Sequence, residues 1–163
     1  MAGRLILSFG ALLLIALVGA GVYIGSACPC ERMPGVALWG DEVAEPVADW
    51  AFVNETGLCQ LQVDDGLLPQ SLNLNCMSTD GALYISCSRC DGKRWSTTAL
   101  NHPSGRIRVE GQVYPVQLRR VEDAAELDRA WAARAEKLRG FGRTVSDARP
   151  DHWWTFNLSS AEG

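Results

Sequence analysis

From Trp50 onward the chain reads as short runs in which apolar and polar residues alternate, the period of half-buried strands. Cys59, Leu61 and Val63 alternate with Gln60 and Gln62, and Asp64-Asp65-Gly66 marks a turn. Leu72, Leu74 and Cys76 then alternate with Ser71, Asn73 and Asn75. Thr79-Asp80-Gly81 has the chemistry of a tight hairpin turn and leads into Leu83-Tyr84-Ile85. Ile107 and Val109 alternate with Arg106, Arg108 and Glu110, and Glu110-Gly111-Gln112 turns the chain into Val113, Tyr114, Val116 and Leu118. Trp153, Trp154, Phe156 and Leu158 predict a short closing strand. Closely spaced hairpins of this kind predict a mainly β (α+β) domain built as an antiparallel barrel or sandwich. One helix interrupts the pattern. Asp123 is placed to cap it with Glu126 three residues on, as in a capping box. Leu127, Ala130, Trp131, Arg134 and Leu138 share one face, and Gly140 is the expected stop.

The N-terminal pattern is different. Leu5 to Ile24 carries no charge and is apolar except at Ser8, Gly10, Gly19 and Gly21. About 20 such residues in a helix span the hydrocarbon of a bilayer, so a transmembrane signal-anchor is predicted over residues 4–24. Arg4 precedes it, which places the N-terminus in the cytoplasm and the domain on the extracytoplasmic side of a single-pass protein. A cleaved signal peptide has a shorter apolar core, and a lipoprotein signal would use Gly25-Ser26-Ala27-Cys28; both readings stay open beside the anchor. Residues 25–49 are punctuated by Gly25, Pro29, Pro34, Gly35, Gly40 and Pro46 and read as a tether. Residues 50–163 are the folded domain.

Charge narrows the function. The 163 residues carry 15 Lys+Arg against 19 Asp+Glu, a net charge of −4, which argues against a general nucleic-acid binder. The acidic excess gathers between Glu31 and Asp65, so that stretch is either a solvated linker with its first strand or a face for the basic half of the domain. Six cysteines fall into sequence neighbours, Cys28 with Cys30, Cys59 with Cys76, and Cys87 with Cys90. Six cysteines allow 15 pairings, and outside the cytoplasm disulfides are favoured. Cys87-Ser88-Arg89-Cys90 is open to a loop disulfide, free thiols or metal ligation. His102 reads as a turn residue, and His152, beside two tryptophans, as a packing one. Neither a Ser/His/Asp arrangement, nor H-E-x-x-H, nor a P-loop is visible.

The run from Asp80 to Asp123 carries a resemblance. It holds the hairpin Gly81-Ala82-Leu83-Tyr84-Ile85, the loop Ser86 to Trp95, then Asn101-His102-Pro103, strand Arg106 to Val109, Gly111-Gln112-Val113-Tyr114 and Val121-Glu122-Asp123. It resembles the pyridoxamine-phosphate oxidase-like, FMN-binding split β-barrel superfamily over roughly Trp50 to Leu138. The resemblance implies a six- or seven-stranded antiparallel split barrel with one packed helix, FMN or another flavin as ligand, and a homodimer. It implies that the loop cradles the FMN phosphate with Ser86, Ser88, Arg89, Lys93 and Arg94, with Trp95 flanking a flat ring. Hydroxyls and Arg or Lys forks are what a phosphate requires. In the family the preceding strand adds further cations; here Leu68 to Cys76 has none, while Ser71, Asn73 and Asn75 share one face. Two functions follow as expectations: a membrane-tethered FMN-binding barrel acting as an oxidoreductase, or a non-enzymatic envelope domain that binds a ligand or protein. A cysteine-based redox or metal module is the third.

Overall fold

The computed structural model describes residues 10, 12–22, 35–66 and 68–161. Seven strands form one sheet: β1 (Asp41–Glu42), β2 (Cys59–Val63), β3 (Gln70–Thr79), β4 (Ala82–Cys87), β5 (Ser104–Val109), β6 (Gln112–Arg120) and β7 (Trp154–Ser160). Two α-helices, α1 (Arg94–Asn101) and α2 (Ala124–Gly140), and a 3-10 turn at Ala51–Asn54 complete the domain. Six strands close on themselves in the order β2-β3-β4-β7-β6-β5, every neighbouring pair antiparallel, and β1 adds to β6 in parallel. Closure leaves those six strands without a free edge.

The hairpin turns follow from local chemistry. Asp80 and Gly81 have φ of 53° and 76°, and Glu110 and Gly111 have 51° and 91°. Two successive left-handed residues match the right-handed twist of the strands they join. Alternation then directs Leu61, Val63, Leu83, Ile85, Ile107, Val109, Phe156 and Leu158 into the barrel, each at most 2% exposed. Trp50 and Val53 join the same core, Trp50 standing edge-on to Tyr114 at 5.1 Å.

Helix α2 lies on the outer face of β3 and β4, where Ala130 packs with Met77, Tyr84 and Val121. Asp123 caps it, its carboxylate accepting from the Glu126 N–H at 2.8 Å. The predicted capping box is only half formed. The Glu126 carboxylate is taken by the Tyr84 hydroxyl and by Arg119, because α2 sits over β4 and brings these groups closer than its own first turn. Gly140 is helical rather than the stop. Termination falls at Gly142 (φ 72°), with Gly142 N–H donating to Arg139 O and Arg143 N–H to Leu138 O.

The segment read as a tether is described from Gly35 onward, and there it lies against the barrel. Gly35 bridges to Ser71, Leu38 is buried, and its N–H donates to Gln62 Oε1 at 2.7 Å. Arg106 meets Glu42 at 2.6 Å and Arg94 meets Asp65 at 2.9 Å, so acidic residues between Glu31 and Asp65 do face basic ones. Such exposed pairs contribute little, about 0–1 kcal/mol each. Of the apolar segment Leu5–Ile24, Gly10 and residues 12–22 are described; they are helical, with Leu12, Leu13, Leu14, Ile15, Leu17, Val18 and Val22 exposed. The other residues of that segment lie outside the described residues. Among the described residues no helix is long and apolar enough to cross a membrane. Cys28 and Cys30 also lie outside the described residues. The other two neighbour pairs are disulfides, Cys59–Cys76 and Cys87–Cys90. Cys59 lies opposite Leu74, so its bond to Cys76 is diagonal rather than straight across.

Candidate functional site

Strand β3 pairs with β4 so that Asn75 faces Ser86, and both side chains lie on the outer face of the barrel, opposite to the inward Cys76 and Ile85. Past Ser86 the chain leaves β4 through Cys87 and Ser88 and enters α1 after Lys93. A cleft of about 200 Å³ forms here, lined by Asn73, Asn75, Ser86, Ser88, Lys93 and the Trp153 ring among others. Three features make it polar at its base. Ser86 is 2% exposed, and its Oγ has no hydrogen-bond partner among the described residues. Trp153 Nε1 is likewise buried and unpaired. Lys93 is exposed and occupies the N-cap position of α1, whose first turn no side chain caps. An unmade hydrogen bond on a buried hydroxyl costs about 1–3 kcal/mol, so such groups persist where a ligand or water completes them.

The structure thus brings Ser86, Ser88 and Lys93 together with Asn73 and Asn75, and separates the rest of the predicted cradle. Arg94 turns away: its guanidinium donates to Asp65 at 2.9 and 3.2 Å and to Leu68 O at 3.0 Å. Trp95, expected to flank a ring, is a core residue, 3% exposed and 5.5 Å from the Phe156 ring. The helical period of α1 points positions 95, 96, 98 and 99 inward, which leaves Trp95 no path to the surface. Ser71 shares the face of Asn73 and Asn75 but is fully buried beside Gly35, to which it bridges, and does not line the cleft. Arg89 lines a larger cleft of about 670 Å³ with Ser88, Cys90, Asp91, His152 and Trp154. Ser88 lines both clefts, so they adjoin. The Arg120 guanidinium lies 3.7 Å from the centre of the Trp154 ring.

Sequence reasoning missed the aromatic wall of the smaller cleft. Trp153 stands edge-on to Trp131 at 5.1 Å, and the buried Arg134 guanidinium lies 4.8 Å from the Trp131 ring and 4.4 Å from the Trp153 ring. Burial, with Arg143 nearby, pulls the Arg134 pKa down. Lys137 was missed as well, although it follows the buried Ala130 by seven residues and so shares its face. Its Nζ donates to Val53 O at 2.6 Å and Cys76 O at 2.7 Å and lies 3.5 Å from Cys76 Sγ. Burial lowers its pKa to about 8. A depression of about 390 Å³ borders it, with Asn54, Glu136 and Phe141 in its wall.

No family model matches this sequence, and no curated protein matches it. Solved structures do. The chain is similar to a candidate 5-nitroimidazole antibiotic resistance protein from Bacteroides thetaiotaomicron, at 11% identity and a TM-score of 0.52, over 71% of this chain and 82% of that one. It is similar to HutZ, the heme storage protein from Vibrio cholerae, at 16% identity and a TM-score of 0.50, over 69% and 87%. It is also similar to a candidate pyridoxamine 5'-phosphate oxidase from Listeria innocua, at 10% identity and a TM-score of 0.50, over 66% and 86%. At these identities the likeness is one of fold alone: this domain shares with those structures its closed, six-stranded antiparallel β-barrel.

Proposed function

We propose that the chain is a flavin-binding split-barrel protein that holds the phosphate end of the ligand on the outer face of β3 and β4. The observation that carries this reading is the unpaired, buried Ser86 Oγ at the base of a cleft shared with Asn75, Ser88 and Lys93. The donor set suits a phosphate: hydroxyls from Ser86 and Ser88, an amide from Asn75, an ammonium from Lys93 and the uncapped first turn of α1. The adjoining larger cleft, with the Trp154 ring in its wall, is where a planar ring system would lie. When bound, a flavin would supply one- and two-electron transfer. The residues themselves bind and orient: Ser86 and Lys93 fix the anion, Trp153 excludes water on one side, and Ser88 joins the two clefts.

The cation count separates enzyme from binding module. Lys93 is the one Lys or Arg lining the smaller cleft among the described residues, with asparagines on β3. A single cation is less than the cradle the resemblance implies for an oxidase, which supports the second reading, a ligand-binding domain without turnover. Membrane attachment belongs to the same proposal. It rests on the uncharged sequence Leu5–Ile24 and on the exposed apolar side chains of residues 12–22. Retention of the full chain in the membrane pellet after alkaline carbonate extraction tests it; release to the supernatant would refute a spanning anchor.

Titration of the full chain in mild detergent with FMN and with riboflavin tests the site, read by flavin fluorescence. FMN should bind more tightly than riboflavin. Lys93→Ala should weaken FMN by about ten- to a hundred-fold, the worth of one charged hydrogen bond, and leave riboflavin unchanged. Arg94→Ala should change neither. Equal binding of both ligands would remove the phosphate from the smaller cleft, and no binding of either would overturn the flavin reading.

A further inference from the structure

The Cys87–Cys90 disulfide stands where the two clefts meet: Cys87 lines the smaller one with Lys93, and Cys90 lines the larger one with Arg89 and His152. We propose that Cys87–Cys90 is a thiol-exchange site that takes a dithiol, small or protein-borne, as its reductant. The inference goes beyond the flavin reading and does not depend on it.

The two disulfides of the barrel differ in the ways that matter for exchange. Cys59–Cys76 joins residues 17 apart on neighbouring strands, both cysteines are fully buried in the barrel core, and its opening would disrupt that core. Cys87–Cys90 spans three residues, so it removes little entropy from the unfolded chain and adds little to stability. Cys87 keeps 8% of its surface exposed, whereas Cys59, Cys76 and Cys90 keep none. Both pairs border the barrel core, and Cys87, which lines the smaller cleft, is the sulfur that an incoming thiolate meets first. The thiolate bonds to Cys87 Sγ, the S–S bond breaks, and its electron pair leaves with Cys90 as a thiolate. The second thiol of the reductant, as thiolate, then attacks the sulfur of its own partner in the mixed disulfide. Cys87 is released as a thiolate and the reductant departs as a disulfide. The two protons lost by the dithiol end on the two cysteines or in solvent.

The surroundings favour those thiolates. A cation near a thiol lowers its pKa, and a better leaving group exchanges faster. Lys93 shares the cleft of Cys87, and Arg89 that of Cys90. The Cys90 carbonyl accepts from the Lys93 N–H at 3.1 Å and from Ser96 Oγ, which holds Cys90 against the first turn of α1. Neither cation has another assigned role in holding the barrel together, unlike Arg94 on Asp65.

The test is an equilibrium redox titration of the full chain, without added flavin, against buffers of reduced and oxidised dithiothreitol at pH 7. Alkylation and peptide mass spectrometry then read each cysteine pair separately. Cys87 and Cys90 should become alkylated at dithiol ratios at least ten-fold below those that open Cys59–Cys76. Arg89→Gln combined with Lys93→Gln should shift the Cys87–Cys90 equilibrium several-fold toward the disulfide, with the Cys59–Cys76 midpoint unmoved as the control for folding. Opening of both pairs together, or resistance of Cys87–Cys90 until the chain unfolds, would overturn the proposal. So would an unchanged midpoint in the double variant, which would mark an accessible staple with no thiolate stabilisation.

Discussion

Replacing Lys137 by Met tests how the barrel tolerates an interior cation. The ammonium has three protons and three neighbours: two carbonyl oxygens at 2.6 and 2.7 Å and a disulfide sulfur at 3.5 Å. The third partner is a weak acceptor, and none of the ion pairs among the described residues reaches this Nζ. A neutral amine, with two N–H groups, loses only that weakest contact. This is why burial can hold the pKa near 8 against an ordinary 10.5. Below pH 8 both folded and unfolded chains carry the proton, and the folded state bears the whole desolvation cost. Between about 8 and 10.5 the unfolded chain binds the proton more tightly, so stability rises with pH. The full gain corresponds to on the order of 3 kcal/mol. Lys137→Met removes the titrating group and leaves two buried carbonyls without their donor, a loss of about 2–4 kcal/mol at pH 7.5. Urea unfolding of both proteins from pH 7 to 10.5 reads the difference. Tyr84 and Tyr114, whose phenols are pushed up by burial, titrate in both and cancel. The gap between wild type and variant should widen above pH 8. Parallel profiles would refute the reasoning and put the ammonium in solvent.

Two further substitutions probe the frame that holds the cleft. Trp131→Ala removes the ring that meets Trp153 edge-on and lies under the Arg134 guanidinium, together with its Nε1 bond to Ser146 O, and should cost about 3–5 kcal/mol in thermal or urea unfolding. A loss near zero would make α2 a peripheral element. Gly105→Ala would place a Cβ 2.7 Å from Gln62 O and 2.9 Å from Leu118 Cδ1, where β5 passes between β2 and β6. Overpacking of that kind should cost about 1–3 kcal/mol in the same assay, and an unchanged midpoint would show that β2 and β5 can separate there.

The strands, their turns and the cap of α2 are written locally. Alternation at Cys59–Val63 and Ile107–Val109, Asp80-Gly81 and Asp123 three residues before Glu126 each act within a few residues, so the linear sequence determined the mainly β domain and its one long helix. The resemblance extended this to the closed antiparallel barrel. What the sequence could not contain is distance between elements. Ser86 and Asn75 meet because β3 and β4 pair in one register, and Lys93 joins them because the chain turns into α1 beside that pair. Arg94 and Trp95, neighbours of Lys93 with equally suitable chemistry, are lost to the site, one to Asp65 and the other to Phe156. Glu126 left its capping box for Tyr84 and Arg119 for the same reason. A side chain's partner is set by what the closed sheet brings within hydrogen-bonding reach, and sheet closure joins residues far apart in the chain. Lys137 shows the point most directly: its position on the buried face was legible from the helical period, but its acceptors, Val53 O and Cys76 O, exist only once the 3-10 turn and β3 have docked beneath α2.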